Sequence, residues 1–226
     1  MTLSNVTKTR QGDTRRSYDD ACGTAHALEL IGGRWALLVL RELLLGPRRF
    51  SELRADLPGI SANILTQRLD ELESHGLVAK RRLPPPASVQ VYEATAWGLE
   101  AAPLIREMGR WAARSPLHDP TLPLSGVSIM LSFTAMLDAE RAKGFAGVLA
   151  FRFGEMIYVA EIVGGAIEVR RGSVGEGQAL ITAEPTQLAA VVYGGAPLDL
   201  LMIEGDEELA RRFLKLFVLP PKADAG

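Results

Sequence analysis

The chain is poor in the residues that build reactive centres. It has one cysteine, Cys22, and three histidines, His26, His75 and His118. A single cysteine excludes a disulfide framework, and histidines this scattered give no ligand pair at metal spacing. Cys22 and His26 stand one helical turn apart, but a site needs three or four ligands, so neither a metal nor another cofactor is expected. No Gly-x-Ser-x-Gly elbow occurs. The run Gly172-Ser-Val-Gly-Glu-Gly177 has the look of a phosphate loop, yet no Lys-Ser/Thr follows it and it separates two strand-like runs. It reads as a turn. No enzyme is expected. Long hydrophobic runs are missing too. No stretch approaches the ~18 uncharged apolar residues of a membrane span, and no apolar block follows the first basic residues. A cytoplasmic protein with no membrane partner is expected.

What is present is an ordinary globular balance, 47% apolar and 23% charged residues, enough for a packed core. The net charge of −2 is unevenly divided. Residues 1–115 carry 16 Lys and Arg against 13 Asp and Glu, and residues 116–226 carry 9 against 14. Only the first half is suited to meet a polyanion.

Residues 1–16 are polar and without periodicity, the mark of a mobile arm. Residues 17–115 are mainly helical. Residues 116–124 contain three of the four prolines between 103 and 123, the composition of a linker, and residues 125–226 mix helices with short strands. The two halves use different periods, which argues for two separate domains in an α+β chain.

The first half opens with a short apolar helix from Ala25 to Ile31, then an apolar helix over Trp35–Leu45 closed by Gly46-Pro47. A third helix spans Phe50–Leu57. Pro58-Gly59-Ile60 then forces a sharp turn, and Ser61 is a good N-cap for the next helix. In that helix Ala62, Leu65, Leu69 and Leu72 form one apolar stripe, while Asn63, Thr66 and Gln67 share the opposite face. Two helices joined by a tight turn, the second with an amide-rich N-terminal face, follow the helix-turn-helix plan. Asn and Gln present a donor beside an acceptor, which suits adenine in the major groove. Ser61 and Arg68 flank this face.

Two β-type runs, Leu77–Leu83 and Val89–Ala94, surround Pro84-Pro-Pro-Ala-Ser88 and read as a hairpin, or wing, with Lys80, Arg81 and Arg82 at its base. Thr95 caps a long helix reaching about Arg114. Its Trp97, Ala101, Leu104, Met108 and Trp111 fall on a packing seam. Together with the first helix this seam is expected to form a homodimer, because one small domain cannot cover so much apolar stripe. Pro103 should kink the helix.

Several of these segments resemble a known family in order. Cys22, Ala27-Leu-Glu-Leu-Ile-Gly-Gly-Arg-Trp35, Gly46-Pro-Arg-Arg-Phe-Ser-Glu-Leu53, Gly59-Ile-Ser61, Leu65-Thr66, Leu69-Asp-Glu-Leu-Glu-Ser-His-Gly-Leu-Val78 and Trp111 are similar to the HxlR family of bacterial regulators. The match spans about Tyr18 to Ala113, with Gly23 where the family usually has proline. It implies a winged helix-turn-helix that dimerises through terminal helices and binds partly palindromic double-stranded operator DNA.

Other readings of the same residues remain open. Arg48 and Arg49 fit phosphate clamps or a solvated helix start. Asn63, Thr66 and Gln67 fit a base-reading face or plain surface polarity, and Lys80–Arg82 fit phosphate contacts or a charged strand edge. Cys22 is either an inert packed thiol or a redox sensor, since members of the resembled family sense electrophiles through a cysteine at this place.

In the second half an amphipathic helix over Ser128–Arg141 precedes strands at Gly147–Phe153, Met156–Val163, Ala166–Arg171 and Gln178–Ala183. Glycines between them suggest antiparallel hairpins. Helices at Pro185–Tyr193 and Asp206–Val218 close the chain. With Gly194-Gly195, Met202–Leu209 and Phe213–Phe217, this order is similar to sterol-carrier-type lipid-binding domains. The resemblance implies a sheet packed by helices around an apolar cavity. Phe133, Met136, Phe151, Phe153, Tyr158 and Phe217 are the expected lining of a pocket for a small hydrophobic effector. The sequence therefore points to a dimeric DNA-binding transcription regulator. The rival reading is an apolar-ligand carrier or scaffold whose helix-turn-helix serves dimerisation or protein docking.

Overall fold

The computed structural model describes residues 18–85 and 87–224; the arm expected at 1–16 lies outside them. Four helices open the described chain: α1 (Gly23–Ile31), α2 (Ala36–Leu43), α3 (Phe50–Asp56) and α4 (Ala62–Ser74). The stripe on α4 is buried as its spacing requires, with Leu65, Leu69 and Leu72 wholly inside beside Val39, Leu40 and Leu43 of α2. Helix α2 is less enclosed than its composition suggests, since Leu38 remains exposed. Trp35 precedes it at φ 78°, a strained conformation for a bulky residue. The wing is an antiparallel hairpin of β1 (Val78–Arg82) and β2 (Gln90–Ala94), in register from Val78 opposite Ala94 to Arg82 opposite Gln90.

The long helix expected after Thr95 is two helices, α5 (Ala96–Leu99) and α6 (Ala102–Ala112). Thr95 holds the first turn in place, accepting from Gly98 N at 3.0 Å and donating to the Gly76 carbonyl at 2.7 Å. Gly98 lies directly against the Leu77 carbonyl, where no side chain would fit. Pro103 consequently stands in the first turn of α6. There its missing N–H costs nothing, so it starts a helix instead of kinking one.

The second half begins with α7 (Gly126–Met136), capped by Ser125 and with no exposed residue, in place of the longer amphipathic helix expected. Its sheet is built from β3 (Gly147–Phe153), β4 (Met156–Val163), β5 (Ala166–Arg171), β6 (Ala179–Thr182) and β7 (Met202–Gly205) in the order β5-β4-β3-β6-β7. The hairpins β3–β4 and β4–β5 are antiparallel, as the glycine spacing predicts. Strand β6 departs from that pattern and runs parallel to β3. The 172–178 segment, which contains a short 3-10 turn at Val174–Glu176, carries the chain across to the far side of β3. It is a structural turn, fastened by Arg170–Glu176 at 2.6 Å. Helices α8 (Pro185–Gly194) and α9 (Glu207–Leu214) complete the chain. Their buried faces join α7 and one side of the sheet in the larger core.

The halves touch through α6 and α7, where Arg110 donates to the Ala135 carbonyl at 2.7 Å. A polar cluster lies beneath α2 and α3. Glu42 is buried there and accepts from Ser125 Oγ at 2.8 Å, and Arg48 donates to Tyr158 Oη at 3.4 Å. In the same cluster Arg171 has its Nε and Nη2 atoms buried without hydrogen-bond partners.

Candidate nucleic-acid interface

Helix α4 is positioned by its cap and by its buried stripe. Ser61 Oγ accepts from Ile64 N at 3.3 Å, which fixes where the helix begins. With Leu65, Leu69 and Leu72 inside, the helical repeat turns Asn63, Thr66 and Gln67 outward, and all three are exposed. They line a shallow open face continued by Asp70, Glu71 and Ser74. The amide-bearing part is therefore N-terminal and the acidic part C-terminal. Gln67 Nε2 donates to Glu71 Oε1 at 3.1 Å, so one donor of its amide is held within the helix.

Two of the expected DNA-contacting arginines are turned inward. Arg48 is buried, paired with Asp56 and lying 3.5 Å from Glu52, while its backbone bridges Tyr92 of the wing. Here it joins the turn before α3 to β2 and cannot reach a phosphate. Arg68 is paired with Glu71 and covers Gly33 at the start of the α1–α2 turn. It braces α4 against its neighbour. The burial of Arg48 and its bond to Tyr158 are set by the fold, whereas Glu52 and Glu71 stand at helical i+4 and i+3 spacing from their arginines. Arg49, the neighbour of Arg48, is exposed.

On the wing, Lys80, Arg81 and Arg82 border a polar hollow with Ser88 and Gln90. The Lys80 ammonium is 3.1 Å from both Asp70 and Glu73, which hold its proton more tightly than usual, Glu73 foremost. Arg81 pairs with Glu93 at 2.8 Å, and Arg82 Nε donates to the Ser88 carbonyl at 3.3 Å. These contacts lie at the surface, where pairing contributes little and a phosphate competes readily. Sequence reasoning passed over Arg54, exposed on α3 and without an ion pair among the described residues.

Trp97, Leu104, Met108 and Trp111 are all exposed in the single chain, Trp111 to 75%. Helix α6 buries none of its own residues, and Leu28 of α1 is also exposed. Cys22 is exposed at the N-cap of α1, not packed; the Thr24 and Ala25 N–H groups hold its thiol below the ordinary range.

The six residues expected to line an effector pocket are buried within the larger core. Phe133 stacks on Phe217 at 4.3 Å between ring centroids, and it also meets Phe151 at 5.6 Å and Phe213 at 5.7 Å. Phe153 lies against Tyr158 at 5.8 Å. Close aromatic packing of this kind sets these rings in the core of the second half. Met136 also borders an open groove, which lies on the other side of α7.

Residues 30–118 match the family model described as HxlR-like helix-turn-helix. An uncharacterised HTH-type transcriptional regulator of Bacillus subtilis, YvaP, is 40% identical over 87 residues, 38% of this chain and 80% of its own length. A second from the same organism, YkvN, is 38% identical over 94 residues, 40% of this chain and 77% of its own. The solved structure described as the reduced form of the transcriptional regulator YodB from B. subtilis is 33% identical. It covers 43% of this chain and 98% of that chain, with a TM-score of 0.39. Through its first half, the chain belongs to the HxlR-like helix-turn-helix family.

Proposed function

We propose that this chain is a transcription regulator that binds double-stranded operator DNA as a homodimer. The observation that carries the reading is the outward face of Asn63, Thr66 and Gln67 on a capped second helix whose opposite face is locked into the core. In the proposed complex the N-terminal half of α4 enters the major groove and its amides meet base edges. Arg49, Arg54, Lys80, Arg81 and Arg82 neutralise flanking phosphates, with Ser61 at the groove edge. Trp97 of α5 and Leu104, Met108 and Trp111 of α6 form the dimer seam with α1, since exposed apolar side chains of this extent are costly to leave in water.

In this reading residues 17–115 form the DNA-binding and dimerisation domain, 116–124 the linker and 125–226 an effector domain of sterol-carrier-like type. The helix, five-stranded sheet and two helices of the second half support that assignment. Its effector is a small hydrophobic molecule. Cys22, exposed and with a lowered thiol, is a further input of redox type. The test is selection of bound duplexes from random DNA by the full chain. Recovery of an inverted repeat with half-sites about one helical turn apart is the expected result; recovery of no preferred sequence would refute the proposal.

A further inference from the structure

We infer that the groove between α6, the linker and α7–α8 is a binding site for a small molecule with a flat apolar body and one anionic group. The inference rests on the regulator reading and places its effector away from the aromatic core.

The groove encloses about 560 Å³, within the usual range of small-molecule sites. One wall is the inner side of α6, at Ile105 and Gly109; the facing wall is α7, at Ala135 and Met136, with Tyr193 of α8 at the back. The mouth is made by the linker, whose Leu117 and Leu122 stand 93% and 62% exposed. Such side chains gain by folding over an apolar guest.

The charge of the lining selects the guest. Arg41, Arg106 and His118 border the groove against one carboxylate, Asp119. That carboxylate is already engaged by the Thr121 N–H at 2.9 Å and hydroxyl at 2.6 Å. Arg41 donates to Glu42 Oε1 from Nε at 2.9 Å and from Nη2 at 2.7 Å, which commits one edge of its guanidinium and leaves the other for a guest. Among the described residues Arg106 pairs with the exposed Glu107, at 3.2 Å from Nε. Apolar walls with unspent cationic capacity fit a hydrophobic carboxylate better than a neutral lipid.

The location also supplies a mechanism of control. Ile105 and Gly109 face the groove, while Leu104, Met108 and Trp111 of the same helix form the proposed dimer seam. A guest that wedges α6 from α7 shifts the seam, and with it the separation of the two α4 helices. Only a guest that favours one of these arrangements alters DNA affinity.

The test is calorimetric titration of the full chain with 2-naphthoate and with the neutral 2-naphthamide. One naphthoate per chain is expected, with the amide at least tenfold weaker. A Cβ at Gly109 would meet nothing within 4 Å, so Gly109→Phe should extend into the groove and weaken naphthoate at least tenfold. Arg106→Gln should weaken naphthoate but not naphthamide, a selectivity that a folding defect would not produce. No saturable binding of naphthoate, or binding unchanged in Gly109→Phe, overturns the site. DNA binding without ligand is measured alongside. Its loss would sink the regulator reading and leave the groove standing, whereas intact DNA binding without naphthoate binding would sink the groove alone.

Discussion

The hydroxyl of Ser125 donates to Glu42 Oε1 at 2.8 Å, joining the central helix of the first half to the N-cap of α7 across 83 positions of sequence. The same hydroxyl accepts from Ser128 N at 3.0 Å, so one oxygen caps a helix and donates to one oxygen of a buried acid. Glu42 Oε2 has no hydrogen-bond partner. Burial strips this acid of water and raises its pKa above the ordinary carboxylate value, against the opposing pull of Arg41.

That asymmetry predicts a pH dependence. The folded pKa of Glu42 is raised above its unfolded value, so the folded state binds the proton more tightly. Stability should fall as pH rises from the ordinary carboxylate value of about 4.3 through the raised folded value, and level off above it. Asp56 is shifted in the same direction, mainly by burial, and adds to the slope. Urea midpoints across this window should show a smaller slope for Glu42→Gln than for wild type. Equal slopes would mean that Glu42 does not titrate in the fold.

Cys22 should be the fast thiol that its helix terminus implies. At neutral pH its alkylation by iodoacetamide should outpace that of a cysteine in an unstructured peptide, since the thiolate is the reacting form. Mass spectrometry against time decides this, and a rate at or below the peptide's removes the redox input.

Met108 tests the seam. Met108→Glu places a charge amid Trp97, Leu104 and Trp111, all exposed in the single chain, so analytical ultracentrifugation should find monomers with unchanged secondary structure. A variant that stays dimeric would move the dimer contact elsewhere.

Gln67→Ala should relax base preference at one or two operator positions, at about 1–3 kcal/mol there, and leave other positions untouched. Binding profiles over a single-substitution operator library read this directly. A uniform loss over all sequences would show that Gln67 is not a base contact.

Much of this arrangement was legible in the residues. The spacing of Leu65, Leu69 and Leu72 fixes the outward face of α4, and Ser61 marks its start. The glycine-bounded runs give β3, β4 and β5 to the residue. Pairing partners were another matter, because period two identifies a strand and says nothing about its neighbour; the parallel β3–β6 ladder was therefore missed. Strand β7 is four residues long and mostly exposed, which leaves little alternation to detect. Arg48 was misread because Asp56 and Tyr158, which hold it, are brought together only by the tertiary fold. The aromatic residues were recognised as interior, yet whether they line a void or fill it depends on packing at the scale of a single methyl group.

The central claim, that α4 and the wing form a DNA-reading surface, is tested most directly by the salt dependence of operator binding. For the sequence selected from random DNA, log Kd should rise linearly with log salt. Arg82→Ala should reduce that slope by about 0.9 for each phosphate contact removed, equally on matched and mismatched sites. An affinity that is insensitive to salt, or a slope identical in wild type and Arg82→Ala, would contradict the account.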